Sequence, residues 1–205
     1  MPNLTTKRML VLGFVLALGL AVVVESTQVF SRPYEYQGSL IDPASPAPDF
    51  SLPATTGEEF HLKDQRGNIV LLFFGFTHCP DICPTTLNDF RQIKKEVGDD
   101  AQQVEFVFIT VDPERDTMET VQKYVSIFDP SIIGLTADEE ALQPVWDAYG
   151  IFQKKREVDS AAEYVVDHTA RIYVVDRKGN LRLTFPQGMP PEAMADDIDH
   201  LLSEN

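Results

Sequence analysis

Residues 68–87 read NIVLLFFGFTHCPDICPTTL, and the fold turns on how that stretch divides. From Asn68 to Gly75 it is uncharged, apolar and partly β-branched or aromatic, the pattern of a strand buried on both faces. A loop holding Cys79 and Cys83 follows, and Pro84 suits the first turn of a helix. Leu87, Phe90, Ile93 and Val97 then recur at helical spacing until Gly98 ends the segment. Working outward, VEFVFITV predicts a second buried strand and the stretch from Asp116 to Phe128 a second helix. IIGLT predicts a short strand, and a helix follows around Glu140 to Tyr149. ARIYVVD, the turn RKGN and LRLTF predict a hairpin. Pro190 and Pro191 open a last amphipathic helix carrying Met194, Ile198 and Leu201.

Parallel β-α-β units that close in an antiparallel hairpin and a helix predict an α/β, thioredoxin-like fold: a central mixed sheet flanked by helices. With 205 residues and 43% hydrophobic content, the chain builds one domain with some length left over. We assign 49–205 to that domain. Ahead of it lie a cytoplasmic N-terminus over 1–8, a transmembrane anchor over 9–30 and a proline-rich tether over 31–48. The anchor rests on Lys7 and Arg8 followed by an uncharged apolar run from Met9 to Val24. Sixteen helical residues cover about 24 Å, so spanning a hydrocarbon core of about 30 Å needs the helix to continue to Phe30. A cleaved signal is the alternative, with Val24 and Ser26 flanking a weak cleavage site. The basic pair stays inside, which places the domain on the periplasmic side of a bacterial plasma membrane. The tether, SRPYEYQGSLIDPASPAP, has prolines but neither strand nor helix periodicity. The net charge is −15, a surface that repels phosphate backbones and argues against a nucleic-acid partner.

Reactive groups in an open α/β sheet collect at the carboxyl ends of the strands, where Cys79 and Cys83 fall. Cys83 at a helix N-terminus is expected to lean towards thiolate. Four residues apart across a helical start, the pair is able to form a disulfide as well as to bind metal. A purely structural disulfide is a poor account, because closing so short a loop removes little chain entropy. A thioredoxin-type dithiol couple has two residues between its cysteines, whereas CPDIC has three. Thioredoxins also set a cis-proline against their cysteines just before the closing hairpin. Here that position reads VVDHTA, with His168 where the proline would stand. An imidazole opposite two sulfurs makes a donor set of two soft atoms and one nitrogen, which selects copper, Cu(I) above all, over calcium or magnesium. Zinc in a structural site wants a fourth ligand, for which His78 and Asp81 are candidates. Asp167 either orients the His168 ring from behind the ligands or is simply solvated. His61, on an N-terminal hairpin, and His200, on the last helix, are read as surface residues. A peroxiredoxin-like peroxidase is disfavoured, because the threonine-proline expected ahead of Cys79 is missing.

GFTHCPDICPTTL, VDPERDT and DHTA together resemble the Sco/SenC family of copper chaperones for cytochrome c oxidase, over a stretch from about Ala47 to the last helix. The resemblance implies a membrane-tethered copper-binding domain, with Cys79, Cys83 and His168 on the family's ligand positions and copper held as Cu(I) or Cu(II). It implies delivery to the CuA site of oxidase subunit II or, alternatively, reduction of that site's cysteines through the Cys79–Cys83 couple. Partners expected with it are subunit II, other periplasmic copper chaperones and thiol reductants. On this reading the chain is no turnover enzyme, beyond an accessory thiol-disulfide activity. The charged QKKREVDSAAEY, residues 153–164, is expected to be a variable, mobile or partner-facing loop beside the site.

Overall fold

The structure is a computed structural model that describes residues 34–158 and 164–204. The proposed anchor lies outside the described residues, and among those described no helix is long and apolar enough to cross a membrane.

Among the described residues, ten strands and four α-helices follow one another. β1 (Ser39–Pro46), β2 (Ser51–Pro53) and β3 (Glu59–His61) precede β4 (Ile69–Gly75), α1 (Ile82–Val97) and β5 (Val104–Thr110). Then come α2 (Met118–Phe128), β6 (Ile133–Leu135), α3 (Glu139–Ala148), β7 (Gln153–Glu157) and β8 (Tyr164–His168). β9 (Arg171–Val175), β10 (Asn180–Pro186) and α4 (Pro191–Ser203) complete the order. Six strands form one mixed sheet in the order β1-β10-β9-β4-β5-β6. β4, β5 and β6 run parallel, while β9 is antiparallel to β4 and continues into the β9–β10 hairpin.

Every residue of β4 is buried, as the unbroken apolar run requires of a strand with neighbours on both edges and cover on both faces. α1 buries Leu87, Phe90, Ile93 and Val97 along one stripe and stops at Gly98, whose φ of 68° and ψ of −130° suit glycine alone. α4 packs against α1 and buries Met194, Ile198 and Leu201. Trp146 of α3 is buried, and its Nε1 donates to the Thr110 carbonyl at 3.1 Å, which ties α3 to the end of β5.

Two segments differ from the sequence reading. Residues 39–46, within the expected tether, form the edge strand β1 on β10, with a register irregularity between Leu40 and Ser45. An edge strand pairs on one side only, and nearly all of β1 is solvent-exposed, so it needs no apolar alternation and tolerates Pro43 in the irregular stretch and Pro46 as its last residue. Within the expected loop over 153–164, Gln153–Glu157 form β7 and Tyr164 begins β8, an antiparallel ribbon separate from the main sheet, while 159–163 lie outside the described residues.

Candidate metal centre

β4 delivers the chain to the site and ends at Gly75. Beyond it the Cys79 N–H donates to the Phe76 carbonyl at 3.2 Å, turning the loop back towards the sheet before α1 begins. Cys83, in the first turn of α1, is completely buried against the end of β4. A side chain at Gly75 would start 2.8 Å from the Cys83 sulfur, so glycine there is what admits the thiol. Cys79 is half-buried, and its Sγ accepts the Cys83 backbone N–H at 3.4 Å. Neither cysteine is in a disulfide.

β8 brings His168 to the same place. Its Nδ1 lies 3.1 Å from the Val166 carbonyl, and since a carbonyl only accepts, Nδ1 carries the proton in the neutral ring. That leaves Nε2 as a bare lone pair, 3.7 Å from Cys83 Sγ. The imidazole stands edge-on to Phe76, with centroids 5.4 Å apart, and to Phe73 at 6.5 Å. Two sulfurs four residues apart and an imidazole 85 positions beyond Cys83 therefore share one corner. Among the described residues no three Cys, His, Asp or Glu side chains are gathered as a closed metal-holding group. Cys83 and His168 face each other, while the Cys79 sulfur is engaged by the helix N-terminus.

The electrostatics of the sulfurs correct the sequence reading. Cys79 is the thiolate: the Cys83 thiol donates to it, and backbone N–H groups of Asp81 and Cys83 assist, bringing its pKa down to about 5 against the opposing effect of burial. Cys83 goes the other way, pushed up by burial and by the adjacent Cys79. A helix dipole favours a thiolate only where water or donors remain to solvate it, and Cys83 has given up its water.

Asp167 does not hold the imidazole. Its carboxylate pairs with Arg156 of β7 at 3.1 and 3.2 Å, and the Val166 carbonyl orients the ring instead. His78 turns to Thr77 Oγ1 at 3.0 Å, and Asp81 is exposed. His61 bonds Ser51 Oγ at 2.6 Å on the β2–β3 hairpin, and His200 lies on α4 edge-on to Tyr36. Between the cysteine loop and β8 opens a groove of ≈ 330 Å³, walled by Phe76, Pro80, Ile82 and Val165, with the Arg156–Asp167 pair at its rim.

Residues 111–117, VDPERDT, stand behind the site, and their contacts were missed from the sequence. Asp116 is completely buried; its carboxylate accepts Thr77 N–H at 3.0 Å and the hydroxyls of Thr77 and Thr110 at 2.5 and 2.7 Å. Burial raises its pKa against those donors. The partners lie 39 and 6 residues away, a pairing that no local pattern announces.

The family model described as SCO1/SenC matches residues 39–203. The chain belongs to the SCO1/SenC family. Its relatives include the SCO2-like protein of Rickettsia prowazekii, 33% identical over 181 residues that make up 87% of this chain and 88% of that protein. Among solved structures, Bradyrhizobium japonicum ScoI with copper bound matches with a TM-score of 0.70 at 38% identity, over 77% of this chain and all of the other. BsSco, described with a disulfide switch and as a member of the Sco family of cytochrome c oxidase assembly proteins, shares the fold at 17% identity with a TM-score of 0.63. That match covers 83% of this chain and 99% of the other. The fold of this SCO1/SenC chain is the thioredoxin-like one of these structures.

Proposed function

We propose that this protein binds one copper ion through Cys79 Sγ, Cys83 Sγ and His168 Nε2 and hands it to the binuclear CuA site of cytochrome c oxidase subunit II. It does so from the outer side of a bacterial plasma membrane, held there by the helix over 9–30. The observation that carries this reading is the approach of a bare Nε2 to Cys83 Sγ at 3.7 Å, with the other ring nitrogen tied to a carbonyl. A metal at about 2.3 Å from sulfur and about 2.0 Å from nitrogen would bridge that span at roughly 120°, the angle of a three-coordinate site. Two sulfurs and an imidazole suit a soft ion. The Cys79 sulfur, in the same loop and with a pKa held down to about 5, completes the set. The groove leaves one side of such a site open to an incoming ligand, as metal transfer by ligand exchange requires. The copper-bound relative at 38% identity supports the same assignment.

Loading the reduced protein with Cu(I) is expected to give one copper per chain, and X-ray absorption to report two sulfur neighbours and one nitrogen. His168→Ala removes the nitrogen and lowers Cu(I) affinity at least tenfold. Wild-type affinity in that variant would refute the ligand set.

A second reading draws support from Cys79: a half-exposed thiolate with a buried thiol beside it is the arrangement of a dithiol reductant. Cys79 attacks a disulfide of the target, one target sulfur leaves as thiolate, and Cys83 then loses its proton and displaces the target from the mixed disulfide. The target gains two electrons, and this chain keeps a Cys79–Cys83 disulfide until an external dithiol reduces it. Stopped-flow reduction of an oxidised CuA-site peptide by wild type, with no turnover by Cys83→Ser, is the expected outcome. Equal rates for the two proteins would exclude the couple.

A further inference from the structure

The ribbon that carries His168 has no hydrogen-bonded place in the main sheet. β7 and β8 pair with each other, and among the described residues no strand of the six-stranded sheet pairs with either. A two-stranded ribbon is marginal by itself in water, so whatever fastens it decides where the imidazole stands. Val166 seats the middle of β8 in the core, and the Tyr164 end is fastened by the loop over 111–117. Arg115 lays its guanidinium over the Tyr164 ring at 3.6 Å and donates from Nη1 to the Tyr164 carbonyl at 3.1 Å, gripping the first residue of β8 by face and backbone. The guanidinium carbon also lies 5.9 Å from the centre of the Phe76 ring, the same ring that His168 stands against. Asp112, whose side chain is fully buried, takes Arg115 Nε at 2.6 Å and the Tyr164 hydroxyl at 2.8 Å. Glu114 pairs with Lys155 of β7 at 2.5 Å. Two residues on, Asp116 holds the cysteine loop through Thr77. One seven-residue loop thus grips both the backbone leading to Cys79 and the strand leading to His168.

We propose that Arg115, seated on Asp112, is the positioning residue for His168: it fixes the start of β8 so that the ring at its far end, about 13 Å along the strand, meets Cys83. The planar guanidinium is suited to this, since one flat group stacks on a ring and donates in its own plane. A lysine, a point charge on a flexible stem, does neither together.

The test uses the full chain. Amide hydrogen exchange followed by mass spectrometry is expected to speed up at least tenfold across 153–157 and 164–168 in Arg115→Ala, with β4 and α1 unchanged. A ribbon protected as in wild type overturns the proposal. The second arm rests on the copper reading above. Arg115→Ala is expected to lower Cu(I) affinity at least tenfold and to lose the nitrogen neighbour, and the Arg115→Ala/His168→Ala double variant to bind no more weakly than His168→Ala alone. Fully additive losses, or an intact nitrogen neighbour at wild-type affinity, overturn the role for Arg115. If Arg115→Ala does not fold, Tyr164→Phe, which removes only the hydroxyl on Asp112, is expected to raise exchange in the same segments by a smaller factor, and no change there overturns the clamp. A wild-type chain that takes up no copper refutes the metal reading, and the exchange arm still decides the clamp.

Discussion

At Gly75 the missing side chain is as much a part of the site as the sulfurs are. A Cβ placed there meets Cys83 Sγ at 2.8 Å and ring carbons of Phe108 and Phe73 at 2.9 Å each, closer than such atoms normally approach. All three neighbours are buried, so none has solvent to move into. Gly75→Ala is therefore an overpacking change, expected to cost about 1 to 3 kcal/mol and to displace the Cys83 sulfur from His168. The measurements are a denaturant melt and a Cu(I) competition titration on the folded variant. Lowered stability with unchanged copper affinity would mean that the sulfur relaxes back to its place and that the glycine serves packing alone.

At the scale of elements, the loop over 111–117 sets the two halves of the site, and Asp116 is the member that acts on the cysteine side. Its carboxylate is fully buried and accepts three hydrogen bonds. Asp116→Asn keeps the shape but puts an NH2 in place of one charged acceptor oxygen, so at least one of the three hydrogen bonds is lost or must reverse its direction. The expected loss is about 1 to 3 kcal/mol, read as a lower midpoint in urea with an unchanged slope, and a midpoint equal to wild type would show that the Thr77 turn holds without it. This loop also marks how far the sequence was legible. β4, α1 and α4 could be read because burial writes a period into a contiguous stretch, and the cysteine loop could be read because its chemistry is local. His168 was reachable through topology, as the residue standing where a thioredoxin has proline. β1 and β7 could not be read, because exposed strands with one hydrogen-bonded edge carry no apolar alternation, and β8 went with its partner β7. The grips of Arg115 on Tyr164 and of Asp116 on Thr77 join residues 49 and 39 positions apart by side-chain geometry alone. The thiolate was assigned to Cys83 because dipole direction is visible in a sequence and depth of burial is not.

Over the whole molecule, the net charge of −15 makes stability a matter of which carboxylates the fold crowds. The clearest case lies where α1 meets α4: Asp89 is partly buried and faces Glu192, and desolvation first, then the Glu192 charge, raise its pKa to about 6. Unfolded, an aspartate titrates near 3.9. Below about pH 4 Asp89 is neutral in both states; above about pH 6 it is charged in both, and the folded state bears the cost. Between those limits the native state binds more protons than the unfolded chain, so this group takes stability away as pH rises through the window. Cys79 has the opposite sign: its folded pKa of about 5 lies below the roughly 8.5 of a free thiol, so it adds stability as pH rises from about 5 to 8.5. Because the two slopes oppose, a melt of the wild type alone does not reveal Asp89, but its difference from Asp89→Asn does. The two proteins are expected to melt together at pH 4 and to separate through pH 5 to 6. By pH 7 the asparagine variant should be the more stable by about 1 kcal/mol, once solvent screening of a partly exposed group is allowed for. A difference that is the same at pH 4 and pH 7 would mean that Asp89 carries no excess charge cost in the fold.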